Sequence, residues 1–122
     1  MIEEYKRIVS NKTIGINEYQ NFTPSTFVVE RKEIGNRLAY LFAGLAAEGG
    51  EVAGNYAKYC RDDFGIEELT ARTEKELGDV MYFTAKLAHE LGLSLEEIMF
   101  NNRAKLQDRQ KRNVLKGDGD NR

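Results

Sequence analysis

The stretch LAYLFAGLAAEGGEVAGNYAKY, residues 38–59, decides the fold class. On a helix that turns about 100° per residue, six of its large apolar side chains fall within one arc of about 60°: Leu38, Leu41, Leu45, Val52, Tyr56 and Tyr59. This stripe predicts one long amphipathic helix from about Arg31 to Arg61. Two adjacent glycines, Gly49 and Gly50, interrupt it, although each costs about 1 kcal/mol relative to alanine inside a helix.

Helical periodicity continues on both sides of this stretch, and strand alternation is scarce. We expect three further helices. The first covers about residues 17–22, the next begins between residues 66 and 73 and ends at 91, and the last runs from 94 to about 112. Gly92 is the expected stop of the third helix, and Ser94 with Glu97 forms a capping box for the fourth. Within the first fifteen residues, Ile2, Tyr5, Ile8 and Val9 permit another short helix. The predicted fold class is all-α.

The 122 residues fit one domain. We divide it into an N-terminal segment (1–30), a helical core (31–112) and a basic tail (113–122). Charged residues make up 31% and the net charge is −2, which gives no general attraction to nucleic acid. From residue 101 onward, however, there are seven Lys/Arg and three Asp, so this end has a net charge of +4 and the rest of the chain a net charge of −6. The basic end could bind the acidic body, or an anion held there, or be a solvated face.

Cys60 is the only cysteine, so no disulfide can form within the chain. The sequence has no apolar run of membrane length and no signal-peptide pattern. The expected compartment is therefore a reducing cytoplasm, with no membrane partner.

Two pairs of carboxylates lie on the inward sides of the two longest predicted helices. Glu48 lies on the shoulder of the apolar stripe, and Glu51 follows about 60° further round. On the third helix, Glu76 lies inside the stripe and Asp79 on its shoulder. An unpaired buried carboxylate is costly, and four converging ones repel, so a bound divalent cation such as Mg²⁺ would resolve the conflict. The two adjacent glycines would then give clearance for a second backbone or a ligand.

These residues allow two other interpretations. A single inward glutamate is most often a salt-bridge partner near a helix end, and this stays the structural alternative. A di-iron bundle would need Glu-x-x-His on two helices. The only histidine, His89, has Lys86 three positions before it, so that motif is absent and His89 is expected at the surface.

The chain resembles the MazG-like all-α nucleoside triphosphate pyrophosphohydrolases over three segments. Two of them hold the four carboxylates, EGGEVAG and KELGDVMYFTAKLAHELGLSLEEI, and the third is NNRAKLQDRQKRNVLKGDGDNR. The family motif is Glu-Glu-x-x-Glu followed, after a variable spacer, by Glu-x-x-Asp. Here the first position is Ala47, whereas the second half matches fully. The resemblance covers roughly residues 38–122. The missing carboxylate at Ala47 leaves the number of bound metal ions open.

The resemblance implies a Mg²⁺-dependent hydrolase, with Mn²⁺ as a substitute metal, that cleaves a (d)NTP to a (d)NMP and pyrophosphate. It implies that Glu48, Glu51, Glu76 and Asp79 hold the metal and activate water. It also implies substrate contacts from Lys58, Phe83, Lys105, Arg109, Arg112, Lys116 and Arg122, with Asn102 and Tyr19 as weaker candidates. Phe83 is placed either against the base or in the core. The implied architecture is a four-helix bundle completed as a homodimer or homotetramer.

Two alternative functions remain open on the sequence. One is phosphoribosyl-ATP pyrophosphohydrolase activity in the same fold, because the carboxylates do not distinguish the two substrates. The other is a non-catalytic helical module that binds a nucleotide or metal. Nucleic-acid binding by the basic end is not expected, since no aromatic side chain is interleaved from residue 101 onward.

Overall fold

A computed structural model describes residues 13–122, and every regular element in this range is helical. Four α-helices follow one another: α1 (Ile16–Phe22), α2 (Ile34–Arg61), α3 (Ile66–Glu90) and α4 (Leu95–Lys111), with a short 3₁₀ turn (Thr23–Thr26) after α1. The all-α class is confirmed. The short helix that Ile2, Tyr5, Ile8 and Val9 permit lies outside the described residues.

Local backbone chemistry explains where the helices begin and end. α2 begins at Ile34, later than predicted, because Glu33 takes an extended conformation with φ −62° and ψ 152°. Gly92 stops α3 at φ 71°, as predicted, since glycine enters the left-handed region without a Cβ penalty. The Ser94 hydroxyl accepts a hydrogen bond of 3.2 Å from the Glu97 N–H and so caps α4, as predicted.

The helices α2 and α3 form an antiparallel hairpin, and α3 is the element on which the others assemble. It contacts α1, the 3₁₀ turn, α2 and α4, whereas α2 contacts only α3 among the described helices. Gln20 of α1 is buried; its Nε2 donates to the Leu93 carbonyl at 2.7 Å, and its Oε1 accepts from the Leu95 N–H at 2.9 Å. These bonds fasten α1 to the start of α4. None of the described helices is both long and apolar enough to span a bilayer.

The core is small and centres on Phe27, Leu41 and Phe83. Val29, Leu45, Tyr82 and Leu87 pack around these three side chains. Gly44 of α2 lies directly against the Phe83 ring, where a Cβ atom would come within 2.1 Å of a ring carbon. Only glycine permits this approach, so Gly44 sets how closely α2 and α3 pack.

Gly49 and Gly50 are not points of close contact between the helices. A Cβ atom at either position would meet nothing within 4 Å. The expectation that they let the backbones approach each other is therefore wrong within one chain, because the close approach occurs at Gly44. Their use as clearance for a ligand stays a prediction.

A fully buried lysine holds α3 to the segment before α2. Lys86 Nζ lies 2.8 Å from Glu30 Oε2 and 3.0 Å from Glu90 Oε2, with the Phe27 ring centroid 4.9 Å away. Arg37 of α2 donates from Nε to Glu90 Oε1 at 2.8 Å. Above all this Arg37 bond, and then Lys86, lower the pKa of the Glu90 carboxyl from 4.5 to about 2. Two acids and two bases thus balance one another where α2 begins and α3 ends.

The contact at Gly44 predicts opposite effects of alanine at two glycines of the same helix. We expect Gly44→Ala to lower the free energy of unfolding by about 1–3 kcal/mol, because its methyl group would overlap the buried Phe83 ring. The matched control Gly49→Ala should gain up to about 1 kcal/mol, since it adds helix propensity without a clash. Urea denaturation measures both. Equal stabilities of the two variants would contradict the contact.

The Glu90 network predicts a pH dependence of stability. The pKa of Glu90 is lower in the folded chain than in the unfolded one, so its contribution is complete above pH 4.5 and is lost as the pH falls toward 2. Glu90→Gln should therefore cost roughly 2–3 kcal/mol near pH 7, and the difference from wild type should shrink across that acidic range. Denaturant unfolding at a series of pH values measures it. The exposed Glu74→Gln on α3 is the control, and a wild-type difference that is constant with pH would refute the assignment.

Candidate metal centre

Three carboxylates meet where α2 and α3 face each other. One oxygen each from Glu48, Glu76 and Asp79 lies within 4.8 Å of the others. Glu48 comes from α2, and the other two are three residues apart on α3, which places them on one face of that helix. Glu48 and Glu76 are half-buried, whereas Asp79 is exposed. We call these three residues the acidic cluster.

The acidic cluster has no basic partner among residues 13–122. No Lys or Arg side chain in this range forms an ion pair with any of its members. Burial first, then the Asp79 charge and a hydrogen bond with Glu76, raise the pKa of the Glu48 carboxyl. A hydrogen bond between two carboxyl groups needs a shared proton. In the absence of a cation, protonation is therefore the available relief of this repulsion.

The donor set fits a hard divalent cation. Carboxylate oxygens are the ligands that Mg²⁺ prefers, and at Mg–O distances of about 2.1 Å two ligands of one ion lie at most about 4.2 Å apart. The acidic cluster spans at most 4.8 Å, so a small side-chain adjustment would bring all three oxygens onto one ion. Exposure on the Asp79 side leaves room for the waters or phosphate oxygens that complete the coordination of Mg²⁺.

The fourth predicted ligand, Glu51, lies outside the acidic cluster. It is exposed on α2, one turn after Glu48, and its charge still contributes to the raised pKa of Glu48. The structure therefore brings together three of the four predicted carboxylates and leaves the fourth beside them.

Two further predicted site residues lie on the hairpin itself. Phe83, one turn after Asp79, is buried in the core, with ring centroids 5.7 Å from Tyr40 and 5.8 Å from Tyr82. The sequence allowed Phe83 either in the core or against the base of a nucleotide, and the structure places it in the core. Lys58 is exposed near the end of α2.

The remaining predicted contacts lie on α4 and the tail, and α4 does not contact α2 among the described helices. Lys105 and Arg109 pair with Asp120 at 3.0 Å and 3.3 Å, and Arg112 pairs with Asp108 at 2.9 Å. Asn102 and Lys116 are exposed. Tyr19, half-buried on α1, has its ring centroid 6.4 Å from that of Phe22. The ion partners of Lys105, Arg109 and Arg112 are therefore aspartates of α4 and the tail, not members of the acidic cluster.

Sequence reasoning missed one buried polar residue on the same helix as Glu48. Asn55 lies seven residues after Glu48 and four after Glu51, on the same side of α2. It is 5% exposed, and its Nδ2 has no hydrogen-bond partner among the described residues. The helical angle of Asn55 lies between those of Glu48 and Glu51, beside the apolar stripe, and this was the available signal. His89, by contrast, is exposed, as predicted.

Comparison with known proteins gives one clear relative. The chain is 41% identical over 87 residues to the Gene 37 protein of Mycobacterium phage L5, and the alignment covers 70% of this chain and 76% of that protein. The chain belongs to the family of this phage protein. No family model matches the sequence. No solved structure matches it significantly. The name of that phage protein specifies no activity.

The acidic cluster predicts a specific response to Mg²⁺. Without divalent ions, Glu76→Gln should melt no lower than wild type, because it removes one of three mutually repelling charges. Added Mg²⁺ should stabilise wild type by about 1.4 kcal/mol at ten times its Kd, and Glu76→Gln by clearly less. Thermal unfolding in EDTA and in MgCl₂ measures both. Glu74→Gln, two residues away and exposed, is the control and should respond like wild type.

Two results would contradict the metal centre. One is an equal Mg²⁺ response in wild type and Glu76→Gln. The other is a Glu76→Gln protein that loses stability in EDTA, since that would make Glu76 a structural partner rather than a ligand.

Proposed function

We propose that this protein is a Mg²⁺-dependent nucleoside triphosphate pyrophosphohydrolase, which cleaves a (d)NTP to a (d)NMP and pyrophosphate. The observation that carries the proposal is the acidic cluster: three carboxylates on facing helices, partly buried, with no cation among residues 13–122 to balance them. A structural role would favour a paired Lys or Arg, as Glu90 has at the end of the same helix. The resemblance to MazG-like enzymes supports the same activity.

In this proposal, Glu48, Glu76 and Asp79 hold Mg²⁺. When bound, Mg²⁺ supplies Lewis acidity, orients phosphate oxygens and lowers the pKa of a coordinated water. Glu51 lies next to the cluster without belonging to it, which suits a carboxylate that accepts the proton of the attacking water. The oxygen of that water bonds to the α-phosphorus, the bond between this phosphorus and the oxygen bridging to the β-phosphate breaks, and pyrophosphate leaves with that oxygen.

The proposed enzyme acts as a homo-oligomer. Phosphoryl transfer needs cations around the phosphates, and three cations of α4 and its C-cap pair with aspartates of the same helix and the tail instead. The hairpin also exposes large apolar side chains, among them Phe42, Tyr56, Leu77 and Met81. Packing two hairpins together would cover such a surface, form a four-helix bundle and bring a second copy near each site. Light scattering tests this step, and a monomer at micromolar concentration would contradict it.

Phosphoribosyl-ATP is the alternative substrate, because it presents the same phosphate chain and the carboxylates cannot distinguish it. We place the activity in the cytoplasm, where nucleotides and Mg²⁺ are both abundant. A non-catalytic module that only binds nucleotide or metal is the remaining alternative. A turnover assay distinguishes it from an enzyme, because such a module would bind without hydrolysing.

The proposal predicts the first product. With Mg²⁺, the wild-type chain should release pyrophosphate from at least one member of a panel of canonical and modified (d)NTPs and phosphoribosyl-ATP. Glu76→Gln and Asp79→Asn should lower kcat at least 100-fold, by analogy with the loss of one major electrostatic contribution of about 2.7–4 kcal/mol. Coupled detection of pyrophosphate, with nucleotide separation by chromatography, measures this.

Glu74→Gln is again the matched control and should retain wild-type turnover. Orthophosphate as the first product would exclude attack at the α-phosphorus. Nucleotide or Mg²⁺ binding without any turnover across the panel would favour the non-catalytic module.

A further inference from the structure

The C-terminal segment folds back onto α4 and places one carboxylate on two of its cations. Asp120 Oδ1 lies 3.0 Å from Lys105 Nζ and 3.3 Å from Arg109 Nη2. The same Nη2 donates to the Asp120 main-chain carbonyl at 2.7 Å. Lys105 and Arg109 are four residues apart and therefore project from the same face of the helix.

The segment is shaped to present Asp120 in this position. Gly117 and Gly119 have φ angles of 136° and 84°, in the region that favours glycine. The Arg122 guanidinium donates from Nη1 to the Gly119 carbonyl at 2.6 Å and from Nη2 to the Leu115 carbonyl at 3.0 Å. These internal bonds hold the turn together, so Asp120 is delivered to the helix as part of a defined loop.

The two sides of the ion pair differ in burial. The Arg109 side chain is 6% exposed, whereas that of Asp120 is 79% exposed. Arg109 Nε is buried and has no hydrogen-bond partner among the described residues. Hydrogen bonds first with Lys105 and then with Arg109 lower the pKa of the Asp120 carboxyl, so it is a full anion at neutral pH. A well-buried guanidinium thus depends on a carboxylate that water can screen, and screened pairs of this kind contribute little to stability.

A phosphate group is a better partner for these two cations than one carboxylate oxygen. It carries up to two charges and three acceptor oxygens, and a planar guanidinium with an ammonium beside it matches that geometry. We infer that Asp120 is an internal competitor for a phosphate-type anion: the anion binds Lys105 and Arg109, displaces Asp120 and releases the C-terminal turn. This rests on the proposed function only in the choice of a phosphoanhydride as the natural ligand.

The test is binding of inorganic pyrophosphate to the full chain, measured by isothermal titration calorimetry in EDTA so that no metal contributes. Asp120→Asn should bind pyrophosphate about fivefold more tightly than wild type, which corresponds to removing a competing pair worth about 1 kcal/mol. Asp118→Asn, an exposed aspartate of the same turn, is the matched control and should bind like wild type. Because Asp120 is largely exposed, its substitution leaves the helices intact, and circular dichroism verifies this.

A second readout follows the turn directly. Pyrophosphate should speed amide hydrogen exchange over residues 117–122 in wild type. Equal affinities of wild type and Asp120→Asn, a weaker affinity of the variant, or unchanged exchange would each overturn the inference. If Asp120→Asn binds pyrophosphate more tightly but no nucleotide is hydrolysed, the competition stands and the proposed enzyme activity is contradicted. If nucleotide is hydrolysed but Asp120→Asn binds pyrophosphate like wild type, the enzyme activity stands and the competition is contradicted.

Discussion

Gly44 of α2 lies against the Phe83 ring of α3, and this contact sets the register of the hairpin. The two helices run antiparallel, so one turn forward from Gly44 and one turn back from Phe83 lead to Glu48 and Asp79, which face each other. A slip of one residue would rotate a side chain by about 100° and separate them. An uncharged position one turn away therefore decides whether the carboxylates meet.

The inward-facing carboxylates of the hairpin are in two different electrostatic environments. Where α3 ends, Lys86 and Arg37 balance Glu90, and the group stabilises the fold. In the middle of the hairpin, Glu48 and its two neighbours on α3 have no cation as a partner among residues 13–122. A buried charge with an oppositely charged partner can serve the fold. Buried charges of one sign without such a partner cost stability and are typical of sites that bind a ligand. The contrast within one helix pair is what singles out the acidic cluster.

The sequence predicted much of the fold because its signals are local. Helical periodicity identified the long helices, Gly92 predicted the end of α3, and Ser94 predicted the start of α4. It did not predict that Lys86 is buried or that Asp120 reaches back to α4, because both depend on contacts between separate elements. The prediction of a close backbone approach at Gly49 and Gly50 was wrong for the same reason, since helix propensity along one helix does not reveal where a neighbouring helix comes close.

The sequence by itself determined the direction in which each carboxylate points. A period of 3.6 residues placed Glu48 and Glu76 on the inward sides of their helices, whatever lies opposite. Only the tertiary structure decided which of them meet. Glu51, about 60° further round α2 than Glu48, was also a candidate ligand, yet it lies outside the acidic cluster. The physical reason is that a helical angle fixes a direction, whereas a ligand set requires distances, and those were set by the packing of α2 against α3 at Gly44.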